Sequence, residues 1–337
     1  MEGIAYWLPL VWAAILATAV TLYVILDGFG LGLGILFPFA PEEERRDVMM
    51  NTIAPFWDGN QTWLVLGGGG LLVAFPKAYG IIMSGLYLPI IIMLLALVFR
   101  GVAFEYRWVS KPKHYLWDLA FSYGAIVATF MQGILLGGLL QGITVVDGQF
   151  AGGTFDWLTP FSIFCGIGLL GGYALLGTTW LILKTDGPLE TWAREKGKQA
   201  LVIVLAVFAV VSLWTPFALP QIFDRWFSWP NMLYLAPVPV LTALAALSCW
   251  RGLSSDAQSQ PFISTIALFL LGLIGLVISN VPYLVPHSLT VWEVAAPPSS
   301  QMFMLVGTLI MLPVILGYTA FVYWTFRGKV RAGEGYH

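Results

Sequence analysis

Again and again this chain runs for about 20 residues with almost no charge, the length an α-helix needs to cross the hydrocarbon core of a bilayer. Nine such segments stand out, at about 8–36, 53–76, 78–101, 117–140, 158–183, 199–219, 232–250, 262–285 and 302–326. Composition agrees. The chain is 58% hydrophobic and 10% charged, where a soluble domain carries about 25% charged residues. The expected fold is all-α, a single integral membrane domain over 1–337 with nine transmembrane helices. Spans two and three meet at Pro76 and Lys77 as a tight hairpin, and polar interruptions fall at 141–157 and 286–301. The first segment reads as a true span. Its apolar run continues to Pro38, and no basic n-region precedes it.

Nine spans place the termini on opposite sides. Of the 16 Lys and Arg residues, 13 fall on one side: Arg45, Arg46, Arg107, Lys111, Lys113, Lys184, Arg194, Lys196, Lys198, Arg251, Arg327, Lys329 and Arg331. Lys77 and Arg225 fall on the other, and Arg100 closes a span. Basic loops face the cytoplasm, so the N-terminus is expected outside and the C-terminus inside. Tyr6, Trp7, Trp229, Tyr323 and Trp324 suit the membrane interface. The net charge of −2, with no basic block, gives no reason to expect a nucleic-acid partner. Cys165 and Cys249 stand far apart in apolar runs and read as core residues.

Charge inside a span costs about 2.5–3.5 kcal/mol at the helix centre, so each instance needs a partner or a purpose. The instances cluster in the first four spans: Asp27, Asp58, Arg100 and Asp118. Counting at about 1.5 Å per residue places all four in the cytoplasmic part of the membrane, which suggests one shared polar site. Around Asp27 the sequence ILDGFGLGLGI offers two small-xxx-small pairs, Gly28/Gly32 and Gly30/Gly34, that let helices approach closely. Tyr23, Gly30 and Gly34 share the Asp27 side of the helix. Asp58, Gln61, Thr62 and Gly69 share a face of the second span, a stripe suited to holding water or passing a proton. Two readings stay open for Asp27: an ion pair with Arg100 that fixes the bundle, or a proton carrier. Asp58 could also serve the helix dipole, and Asp118 could be an interfacial first-turn carboxylate. Glu105 falls in a cytoplasmic loop, as a solvated charge or one folded back toward the site.

Several chemistries lack their residues. The histidines, His114, His287 and His337, all fall in loops or the tail, so none is placed as an axial haem ligand within a span. No metal set is expected. No glycine run ends in Gly-Lys-Ser/Thr, which removes a phosphate-binding loop.

Several segments nevertheless resemble one family closely. LDGFGLGLGILF (26–37), NTIAPFWDGNQTWLVLGGGGLLVAFPKAY (51–79), GLYLPIIIMLLALVFRGVAFEYR (85–107), the pair Trp117–Asp118 and LTVWE (289–293) resemble, in order, subunit II of cytochrome bd-type quinol oxidases. The short connection near 220–231 looks most like the cyanide-insensitive branch. The resemblance implies two four-helix bundles plus one peripheral helix, with 1–140 as the first bundle and 158–326 as the second group. It implies a haem-bearing subunit I holding haem b, haem d and the quinol site. No haem ligand is expected in this chain, although a structural quinone and a small accessory subunit occur in the family. It further implies quinol oxidation on the outer side, reduction of oxygen to water, and a proton gradient made without pumping, in a bacterial inner membrane. The acids linked there to proton delivery map onto Asp58 and Asp27, with Arg100 and Asp118 beside them and Gln61, Thr62 and Glu105 as supporting groups. A secondary transporter would also use intramembrane acids and glycine-broken helices, but no internal repeat is evident. A purely structural membrane partner is the third reading.

Overall fold

A computed structural model describes all residues except Met1, Pro41, Lys111, Pro112, Ala332 and 334–337. Lys111 and His337, named above, therefore lie outside the described residues. The described residues form thirteen α-helices: α1 (Glu2–Leu36), α2 (Glu43–Asn51), α3 (Trp57–Ala74), α4 (Pro76–Gly85), α5 (Tyr87–Val109), α6 (Tyr115–Gln141), α7 (Pro160–Lys184), α8 (Pro188–Ala218), α9 (Pro220–Phe227), α10 (Asn231–Leu235), α11 (Pro237–Leu253), α12 (Gln260–Asn280) and α13 (Pro298–Thr325). The only strands among the described residues are two short antiparallel hairpins, β1 (Val145–Val146) with β2 (Gln149–Phe150), and β3 (Tyr283–Val285) with β4 (Leu289–Thr290). The first lies within the polar interruption 141–157, and the second begins just before 286–301, because α12 ends at Asn280, short of the expected 285.

Eight helical segments are long and apolar enough to cross a membrane. The second expected span, 53–76, is not among them and forms the shorter α3. Its 18 residues rise about 27 Å, but its first turns spend Asp58, Asn60, Gln61 and Thr62 where apolar residues would stand. The third expected span, 78–101, is displaced. Proline at a helix start is preorganised for the first turn and loses no intrahelical bond. Pro76 accordingly opens α4, a separate ten-residue helix, in place of the tight hairpin. The true span, α5, runs from Tyr87 to Val109. Arg100 is therefore well inside a helix rather than at its end, and Glu105 lies on α5 rather than in a loop.

Helices α1, α3, α5 and α6 pack as one group and α7, α8, α11 and α12 as another, joined where α1 and α6 lie against α7. Small residues make that joint possible. A Cβ added at Gly32 would fall 1.8 Å from the Tyr173 carbonyl oxygen, and one at Gly177 would fall 2.7 Å from the Gly32 carbonyl carbon. Gly28 likewise faces Tyr173, whereas Gly30 and Gly34 face Arg100 and Ala125. The two glycine pairs of α1 thus serve two different neighbours. Helix α13 stands outside both groups, and Gln301 is its only buried residue. Gln301 donates to the Ala74 carbonyl (3.0 Å) and accepts from Trp12 Nε1 (3.1 Å), which fastens one end of α13.

Candidate functional site

Helix α1 carries Asp27 nine residues before its end at Leu36, and α5 carries Arg100 nine residues before its end at Val109. Both ends lie on the side that collects the Lys and Arg residues. Equal offsets bring the two side chains to one level, and Arg100 Nη1 donates to Asp27 Oδ1 at 2.8 Å. Both side chains are 0% exposed. Gly30 makes this possible, because a Cβ there would fall 2.6 Å from Arg100 Nη2. The second carboxylate oxygen of Asp27, and Nε and Nη2 of Arg100, are buried without a protein partner. Groups of this kind are ordinarily satisfied by ordered water.

Asp118 does not join this pair. It lies in the first turn of α6 and accepts from Arg107 Nε at 2.6 Å, while Arg107 Nη1 donates to Asp47 of α2 at 2.5 Å. Arg46 stands 3.7 Å from Asp118, and His114 stands 3.8 Å from Asp118 and 3.3 Å from Glu43. The expected single site is thus two clusters, one deep and one at the basic end. Arg107 was read as a loop charge, yet it is fully buried. Seven residues after Arg100, it repeats the same helical face two turns on, and that spacing was the available signal.

Between the clusters runs a polar stripe on α6. Asp118, Ser122, Thr129 and Gln132 lie within about 40° of one line along the helix, with Ala125 between them where Gly34 packs. Ser122 and Thr129 are buried, and their hydroxyls have no partner among the described residues. Gln132 Nε2 donates to Tyr23 Oη at 2.7 Å, and Tyr173 Oη donates to Gln132 Oε1 at 2.9 Å. Tyr23 stands one turn before Asp27 on α1.

Asp58 sits elsewhere. It is exposed on the outer face of α3 with Thr62 and Gly69, while Gln61 is half-buried. The expected shared face is therefore real, but it points away from Asp27. Thr62 returns its hydroxyl to the Gly59 carbonyl at 2.6 Å. The residue that reaches α1 is Asn60, which donates to the Leu26 carbonyl at 2.7 Å and accepts from Tyr323 Oη at 2.9 Å. That bond sets the depth: Asp58, two residues from Asn60, lies about 3 Å along the helix from the level of Asp27. Glu105 is exposed on α5, and its helix does not turn it toward the pair.

Haem would need an axial side chain in the helical interior. His114 is engaged at the basic end, and His287 contacts the Leu140 carbonyl (3.0 Å) and Gln221 (2.7 Å) in the β3–β4 turn. No group of three His, Cys, Asp or Glu residues able to hold a metal occurs among the described residues. These histidines do not fit the axial position of a haem.

The fold and site together define a helical membrane subunit built around a buried acid–base pair. A sequence profile of cytochrome bd terminal oxidase subunit II matches residues 8–326, and the chain belongs to that family. It is 27% identical to cytochrome bd-I ubiquinol oxidase subunit 2 of Escherichia coli (strain K12), over 96% of this chain and 95% of that protein. It is 29% identical to cytochrome bd ubiquinol oxidase subunit 2 of Bacillus subtilis (strain 168), over 96% and 97%. A chain in the solved structure of bd oxidase from Geobacillus thermodenitrificans shares the fold, with a TM-score of 0.79, coverage of 95% and 98%, and 17% identity. Membership makes this chain a subunit of a respiratory oxidoreductase complex whose haems reside in a partner subunit I.

Proposed function

We propose that this subunit supports subunit I and supplies the oxidase with a proton route from the cytoplasmic side to the oxygen-reducing centre. The complex then oxidises quinol outside, reduces oxygen to water, and builds a gradient by charge separation without pumping. The chain alone is not catalytic. One observation carries the reading: a fully buried Asp27–Arg100 pair and, on the neighbouring α6, a stripe of buried hydroxyls with no protein partner among the described residues. His114 and Asp118 collect protons at the basic end. Ser122 and Thr129 hold the water that passes them inward, and Arg100 holds Asp27 in place. A carboxylate exposed at this depth is costly against lipid, so Asp58 faces subunit I and hands protons across the subunit boundary. The basic end is cytoplasmic, with the N-terminus outside a bacterial inner membrane. The short connection 220–231, which contains α9, supports assignment to the cyanide-insensitive branch, which a cyanide titration of oxygen uptake tests.

Family membership sets the transporter reading aside. A purely structural role is favoured by one specific contact, the direct 2.8 Å pair itself. Asp58→Asn and Asp27→Asn in the haem-loaded complex separate the two readings. The proton route predicts that quinol-driven oxygen uptake and proton uptake fall at least tenfold with haem content intact. Unchanged turnover removes the residue from the route. Loss of haem together with activity assigns it a structural role.

A further inference from the structure

At the basic end of the helices, α1, α7, α12 and α13 enclose a groove of about 340 Å³. Its walls are aromatic and aliphatic: Phe29 and Trp180 stack at 4.1 Å between centroids, with Phe262, Ile266 and Tyr323 beside them. Two cations, Lys184 and Arg327, close its upper rim.

Lys184 is unusual for a lysine. It is 3% exposed, and no carboxylate pairs with it among the described residues. Its ammonium donates to the Phe326 and Gly328 carbonyls and lies over the Trp180 and Phe56 rings at 5.1 and 5.6 Å. An ammonium has three donors, so one N–H remains. Arg327 is exposed and, among the described residues, engages the Trp324 carbonyl and ring. The nearby Asp186 is taken by Lys329. Among the described residues, the corner therefore holds cations in excess of anions at the end of an apolar groove. Basic pockets between transmembrane helices on the cytoplasmic side are where acidic lipid head groups bind.

We propose that this groove binds an anionic phospholipid. Its phosphate meets Lys184 and Arg327, and one acyl chain lies over Phe29, Phe262 and Ile266. The aromatic and aliphatic walls suit an acyl chain, and the paired cations suit a phosphate.

The test uses the complete oxidase in nanodiscs of phosphatidylcholine with and without phosphatidylglycerol. Lipid retained after detergent exchange is quantified by mass spectrometry. The wild-type complex is expected to retain phosphatidylglycerol over phosphatidylcholine. Arg327→Gln lowers that retention about fivefold, the ratio equivalent to about 1 kcal/mol per basic residue near an anionic surface. Lys184→Gln lowers it at least as far. Arg251→Gln, at the same end on α11 but away from the groove, leaves it unchanged. Because Arg327 is exposed, its variant folds even if the Lys184 variant does not. Equal phosphatidylglycerol retention in wild type and Arg327→Gln overturns the proposal, as does recovery of a quinone in place of phospholipid.

Discussion

Arg100 presents five N–H donors in a rigid fork, and only Nη1 meets a protein acceptor, Asp27 Oδ1. Removing one member of a buried ion pair costs about 3–5 kcal/mol, because the other charge is left uncompensated. Arg100→Gln is therefore expected to destabilise the chain by about that amount, read by denaturant unfolding of the purified complex; a loss below about 1 kcal/mol would sink the pairing as a structural element. Asp27 and Arg100 were legible because charge in an apolar run is expensive, and expense is visible in sequence. Ser122 and Thr129 were not, since a hydroxyl is tolerated in any helix and draws no notice singly. Only their spacing from Asp118 reveals the stripe. Arg107 was hidden for another reason: with the span drawn nine residues too early, it fell outside the membrane, and its two aspartates could not be recognised as partners.

At the level of elements, proline and glycine decided most outcomes. Seven helices begin with proline in the first turn, and overlooking that rule at Pro76 displaced the third span. The glycine pairs of α1 were read correctly as contacts, but the two faces they serve required the packed structure. Gly32→Ala puts a methyl 1.8 Å from the Tyr173 carbonyl oxygen. Backbone cannot yield as a side chain can, so α1 and α7 must separate. Overpacking of this sort costs about 1–3 kcal/mol, and a lowered Tm of the complex is the expected readout. The β3–β4 hairpin has its own control. Glu293 accepts from the backbone N–H and hydroxyl of Thr290, both at 2.7 Å, and these bonds hold its carboxyl below the ordinary 4.5. A depressed acid stabilises the fold above its unfolded value and loses that contribution as pH falls through the folded value. Hydrogen exchange in 283–293, corrected for intrinsic rate, should therefore show protection falling below pH 4.5 in the wild type. Glu293→Gln should remove that dependence.

For the whole molecule, eight of the nine spans expected from hydropathy recur as helices long and apolar enough to cross a membrane among the described residues, and the span count and the basic asymmetry together make a claim about orientation. The two native cysteines, Cys165 and Cys249, are buried, so they give little background to an impermeant thiol reagent. Lys77→Cys is expected to label in sealed right-side-out vesicles, and Arg251→Cys only after permeabilisation. The reverse pattern would invert the topology. The arrangement of the two helix groups was less legible, because apolar faces resemble one another and only close packing tells them apart.

The outward carboxylate of α3 has one more implication. A chain that keeps Asp58 on its surface at the depth of a buried ion pair is incomplete by construction. Alone in the bilayer it must drag water or head groups inward to solvate that acid. On the proposed placement of Asp58 against subunit I, docking ends the disturbance, and the same residue then distinguishes an orphan subunit from an assembled one. Stoichiometry of the two chains can then be enforced by the membrane itself.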